Sequence, residues 1–239
     1  STLFNCLSQS KAQSENYPFC TIDPNVSVVN VPDLRLDKLD ELISPEKIIP
    51  TNVKIVDIAG LVKGASKGEG LGNKFLSNIR ETDAIIHVLR CFDDPNIIHV
   101  DGKINPISDR EVVEYELILK DIEIVDKRLD KVKKTLRSGS NESKKEIEVL
   151  EKVKLQLVNV SLKISDYSEE QVEEFIKPLE LISFKPILYV CNVSENDVLS
   201  GNEYVDQVKK EIENKECEII IISAKIESEI NELDSIEEK

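Results

Sequence analysis

The 239 residues carry a formal net charge of -15, with 40% hydrophobic and 32% charged side chains, a composition ordinary for a globular protein with a full core. The acidity argues against a chain that grips nucleic acid over its whole surface or reads DNA by sequence, because phosphate contact needs a cationic face. The five cysteines (Cys6, Cys20, Cys91, Cys191 and Cys217) show no C-x-x-C spacing, so neither a zinc site nor a disulfide framework is signalled and a reduced, cytoplasmic setting is expected; no apolar run approaches the ~20 residues of a membrane helix.

At the start, Ser1-Thr2-Leu3-Phe4-Asn5 reads as the tail of a G-x-x-x-x-G-K-[ST] phosphate loop. Ser1 would place its hydroxyl on Mg2+, and Thr2 would open a helix whose N-terminus faces the phosphates. The glycines and the lysine of that motif are not in the chain, and their strand is expected upstream. Asn16 to Asn25 then resembles the first switch of a triphosphate-sensing protein, with Thr21 completing the magnesium shell.

Val53-Lys54-Ile55-Val56 is a short apolar strand ending in Asp57-Ile58-Ala59-Gly60. D-x-x-G is the element in which the aspartate holds a magnesium-bound water and the glycine amide faces the γ-phosphate. Gly60, Gly64, Gly68, Gly70 and Gly72 follow within thirteen residues, a density that lets the backbone reshape at little steric cost and suits a second switch. Leu61 stands where a Ras-like enzyme has the glutamine that orients water, so another group must do that work.

Helix-like Lys74 to Glu81 and strand Ala84 to Leu89 continue the alternation, with His87 read as a core residue of that strand. The rhythm then breaks. Tyr115, Ile118, Ile122, Val125, Leu129, Val132 and Leu136 step by three and four, and Leu150, Val153, Leu157, Val160 and Ile164 resume the pattern beyond Ser138-Gly139-Ser140-Asn141. This predicts a helical hairpin with one apolar seam. Lys127, Arg128, Lys131, Lys133, Lys134, Arg137, Lys144 and Lys145 concentrate positive charge near its tip, either as a solvated exterior or as a docking surface for RNA or another acidic partner.

Two further strands, Ile187 to Cys191 and Ile219 to Ile222, flank the helix Glu203 to Glu213. The first leads into Asn192-Val193-Ser194-Glu195, where a GTPase would carry N-K-x-D; glutamate shifts the carboxylate by one methylene and Val193 removes the lysine. Ser223-Ala224-Lys225 after the second strand resembles a base-contacting S-A-K loop. The expected fold is therefore α/β of the P-loop NTPase, G-domain-like type: a mostly parallel sheet flanked by helices, with an inserted antiparallel coiled-coil hairpin. Residues 1–110 and 180–228 form the nucleotide-binding domain, 111–179 the insertion, and 229–239 the start of a linker or helix.

The stretches Asn16 to Asn25, Val56 to Asp83 and Arg90 to Lys103, together with the hairpin, resemble the Obg-like ATPases, the YchF branch of the translation-factor-related P-loop NTPases. The resemblance implies an ATPase that associates with ribosomes, through the large subunit, uses Mg2+, and carries a further C-terminal TGS domain. It also implies that Asn192, Val193 and Glu195, with Ser223 and Ala224, select adenine, and that His99 positions the attacking water. A true GTPase of the same fold, or a docking module with incidental hydrolysis, remains as the alternative reading.

Overall fold

The computed structural model describes residues 2–8, 25–58, 71–95, 97, 103–135, 141–161, 163–213 and 217–233. Its elements in order are α1 (Thr2–Ser8), β1 (Asn25–Asn30), α2 (Leu34–Ile43), β2 (Asn52–Asp57), α3 (Leu71–Arg80), β3 (Ile85–Arg90), α4 (Pro106–Thr135) and α5 (Asn141–Val158). A run of short helical turns that includes α6 (Glu169–Gln171) leads to β4 (Ile187–Asn192), α7 (Glu203–Ile212), β5 (Glu218–Ile222) and α8 (Ala224–Asn231).

The strands form two sheets. β3, β4 and β5 are parallel in that order, with Leu89 opposite Cys191 and Asn192 opposite Ile222. β1 and β2 pair antiparallel, with Asn25 opposite Asp57. The parallel β3–β4–β5 sheet and the antiparallel β1–β2 pair agree with the mostly parallel arrangement expected from the apolar runs. The strand β1, Asn-Val-Ser-Val-Val-Asn, and the helix α2 after it were not recognised in the sequence. α2 is nevertheless well marked locally: the Asp33 carboxylate accepts the Arg35 N–H at 2.9 Å as N-cap, and Ser44 ends the helix in the left-handed region at φ 47°.

Alternation along the parallel strands decides the core. Leu89, Cys91, Tyr189, Cys191 and Val193 share one face and pack with Val205, Val208 and Ile212 of α7, as the two-residue period of a strand requires. On the other face Ile86, Val88 and Ile220 keep 48%, 46% and 43% exposure. α1 packs on α8 and also touches β1 and β2, tying the two ends of the described chain.

The predicted helical arms correspond to α4 and α5, which pack along Val125, Leu129, Val132, Val149, Leu150, Val153 and Leu157; Tyr115, Val160 and Ile164, expected in the same seam, are instead exposed, the last two lying beyond the end of α5. Full burial of each such side chain contributes roughly 1.5–3 kcal/mol. Arg128 Nε reaches Glu146 Oε1 at 2.6 Å and Lys154 reaches Asp126 at 2.6 Å across the pair. Tyr167, Phe175, Ile176, Leu179 and Leu181 close the base of this seam.

Two polar anchors hold the entry of β4, one to the arm α4 and one to the end of α3. Asp121 on α4 is fully buried and accepts the Ile182 and Ser183 N–H groups at 3.0 and 2.7 Å. Burial pushes its carboxyl up, against the opposing effect of those two hydrogen bonds. Lys185, just before β4, donates to the carbonyls of Arg80, the last residue of α3, and of Thr82 just after it. No helix among the described residues is long and apolar enough to cross a membrane.

Candidate nucleotide-base site

The carboxyl ends of parallel strands gather loops at one edge of a sheet, where α/β proteins bind ligands. Here the loops after β3, β4 and β5 are tied to one another by main-chain hydrogen bonds. The Cys91 N–H donates to the Asn192 carbonyl at 2.8 Å, and the Val193 N–H to the Ile222 carbonyl at 2.8 Å.

Asn192 ends β4. Its side-chain Oδ1 accepts the Ala224 N–H at 2.9 Å, fixing the loop after β5 against the end of β4. Ser223 is almost fully buried and caps α8, its Oγ accepting the Ile226 N–H at 3.4 Å. Glu195 opens a short turn after β4, and its carboxylate forms an ion pair with Lys225 of α8. That partner holds the Lys225 ammonium above its usual value. Four of the residues expected to meet the base, Asn192, Glu195, Ser223 and Ala224, therefore converge. Val193 does not present its side chain: it is 2% exposed in the sheet core.

Behind the β4 loop lies an open cleft of about 440 Å³ lined by Phe92, Asp93, Asp197, Asn202, Glu203 and Tyr204, with Ser194 at its wall. Asn202 organises it, donating to the Cys91 carbonyl at 2.8 Å and to Asp197 at 3.0 Å while capping α7 through the Val205 N–H. Gly201 makes the turn into this cap at φ +73°, a conformation side chains rarely adopt. Tyr204 Oη donates to Asp93 at 3.0 Å. Three carboxylates line this cleft, which makes it a poor seat for phosphates.

Arg90, at the end of β3, donates to the carbonyls of Phe92, Ile97 and Asp94 at 3.2, 3.1 and 3.2 Å, and its guanidinium lies over the Phe92 ring at 4.9 Å. It thereby shapes the loop leading toward His99. Nothing in the sequence pattern marks this role, since an arginine at a strand end has many uses; Asn202, by contrast, carries the helix-capping signal of an asparagine before Glu203.

Of the phosphate-side candidates, Thr2 is the first residue of α1 and Asp57 the last of β2. Ser1, Thr21, Gly60 and His99, with Leu61 and the other switch glycines through Gly70, lie outside the described residues. His87 lies within the strand as expected: its ring is 5.7 Å from that of Tyr189, and burial lowers its pKa to about 4. Neighbouring Tyr189 donates to Glu114, while nearly buried Arg110 lies 3.3 Å from that same Glu114.

A family model described as "50S ribosome-binding GTPase" matches residues 1–152. The chain is 51% identical over 242 residues to the "Ribosome-binding ATPase YchF" of Bacillus subtilis, covering 100% of this chain and 66% of that protein. It is 48% identical over 239 residues to the protein of the same name from Escherichia coli O157:H7, covering 99% and 65%. The chain thus spans less than two thirds of the length of these relatives. The structure of the Schizosaccharomyces pombe YchF GTPase superposes with a TM-score of 0.80 at 38% identity, over 99% of this chain and 65% of that one.

Proposed function

The chain belongs to the YchF family, and from that premise we propose that it is the nucleotide-binding body of a cytoplasmic, ribosome-associated ATPase that binds ATP with Mg2+ and hydrolyses it slowly. The observation that carries the reading is the meeting of Asn192 and Glu195 with Ser223 to Lys225 at the carboxyl end of the parallel sheet. Such a pair of loops can hold a planar base between backbone and side-chain polar groups. The names ATPase and GTPase both occur among the relatives, so the base itself is the discriminating question.

The donor set expected around the metal suits Mg2+: one carboxylate, Asp57, and the hydroxyls of Ser1 and Thr21 are hard oxygen ligands. When bound, Mg2+ neutralises charge developing on the phosphate oxygens. Asp57 at the end of β2 would hold the metal through water, the Gly60 amide would serve the γ-phosphate, and Thr2 at the start of α1 would serve the phosphate chain. His99 takes the place of the missing glutamine in orienting the attacking water; with no hydrogen-bonding side chain at Leu61 to help it, turnover is slow.

The hairpin supplies the ribosome contact. Lys127, Arg128 and Lys133 are partly neutralised by Glu123, Glu146 and Glu151, whereas Lys131, Lys134, Lys144 and Lys145 stand exposed near the distal end. They form a local cationic surface on an acidic protein, suited to the RNA of the large subunit. Co-sedimentation of the complete protein with ribosomal subunits, with and without ATP, tests the assignment: absence of binding to the large subunit under both conditions would overturn it.

A further inference from the structure

The ion pair between Lys225 and Glu195 links the two loops of the base site, and neither loop motif announces it. Lys225 Nζ contacts Glu195 Oε1 and lies 3.9 Å from Glu229 Oε1 one turn along α8. The lysine is thus set among carboxylates directly after Ala224, at the mouth of the site rather than inside the core.

The consequence follows from base chemistry. Guanine offers N1–H and N2–H donors beside the O6 acceptor, whereas adenine offers an N6–H donor beside the N1 acceptor. A free carboxylate at position 195 would accept the two adjacent guanine donors, and a free N–H at position 224 would serve O6. Both groups are engaged by this chain: Glu195 by the Lys225 ammonium, and the Ala224 N–H by Asn192 Oδ1 at 2.9 Å. An exposed ion pair is weak in isolation, but here it decides whether two acceptor oxygens face the base or one of them is taken.

We propose that Lys225 is a specificity-determining residue, which disfavours guanine by holding the Glu195 carboxylate away from the base edge. The inference rests on the reading of this site as the base pocket. Lys225 discriminates between bases without reacting, and its effect on ATP is small because adenine has no pair of donors to lose.

The test is competition of Mg-ATP and Mg-GTP against a fluorescent ATP analogue on the complete protein. Lys225→Met releases Glu195 and shifts the ratio of the two dissociation constants toward GTP by about fivefold, the scale of one exposed charge pair. Lys225→Arg keeps the pair and leaves the ratio in place. Lys225→Met combined with Glu195→Gln shows no shift relative to Glu195→Gln alone, since the carboxylate that would accept guanine is gone. An unmoved ratio in Lys225→Met with both nucleotides still bound, or the same shift in the double variant, overturns the proposal alone. Failure of the unaltered protein to bind either nucleotide overturns the base-site reading and the proposal with it.

Discussion

The Ala224 N–H donates to Asn192 Oδ1 at 2.9 Å, so the side chain expected to read a base also holds the loop after β5 in place. Asn192→Ala removes both functions at once. Leaving that partly buried N–H without its acceptor costs about 1–2 kcal/mol, and the loop that carries Ser223 and Lys225 loosens. Calorimetry should record at least about a tenfold loss of nucleotide affinity beside a lowered melting temperature; unchanged affinity in a destabilised protein would confine Asn192 to a structural role.

Asp121 makes a different kind of claim. Its two acceptor oxygens hold the Ile182 and Ser183 N–H groups, joining α4 to the entry of β4. Asp121→Ala should destabilise by about 2–3 kcal/mol, since two buried donors lose their partner. Asp121→Asn keeps one acceptor oxygen and should cost clearly less. Equal losses in urea unfolding would mean that the hydrogen bonds contribute little beyond packing.

His87 gives the stability an acid limb. Burial depresses its pKa to about 4 in the fold, while an unfolded histidine titrates near ~6.5. The unfolded chain therefore binds the proton first: the contribution is fully present above about pH 6.5 and is lost progressively as pH falls toward 4. The span corresponds to at most about 3 kcal/mol. Unfolding free energies measured from pH 7 to 4 should fall less steeply in His87→Gln than in the unaltered protein, and parallel curves would remove His87 as the cause.

These residues also show what sequence could and could not disclose. The strands β2 to β5 were legible because each is a short apolar, mostly β-branched run, and the arms of α4 and α5 because their apolar positions step by three and four. β1 escaped because half of its side chains stay exposed and it pairs antiparallel with β2. The loops after β4 and β5 were legible as motifs, down to Asn192 and Ala224, but their joining was not. Glu195 and Lys225, like Asp121 and Ile182, are brought together only by the fold, and no local pattern encodes such a pair. Arg90 is invisible for the same reason, since its partners are backbone carbonyls that every residue possesses.

The hairpin surface predicts a salt-dependent contact. Reversing Lys131, Lys134 and Lys144 to glutamate should weaken ribosome co-sedimentation by more than about tenfold and flatten its dependence on salt, because each phosphate contact releases counterions. ATP affinity of the same variant serves as the control for folding. Undiminished co-sedimentation would place the contact elsewhere.

For hydrolysis, His99→Ala should slow single-turnover cleavage of ATP by about tenfold or more while leaving the nucleotide dissociation constant near its original value, as expected for loss of a water-positioning group. Cleavage at the original rate would remove His99 from the mechanism.

Which base the site prefers separates an ATPase body from a GTPase body most directly. Competition of ATP and GTP for the complete protein in the presence of Mg2+ should give the smaller dissociation constant for ATP, with hydrolysis following the same order. A smaller constant for GTP would contradict the reading of Asn192 and Glu195 and make this chain the body of a GTPase.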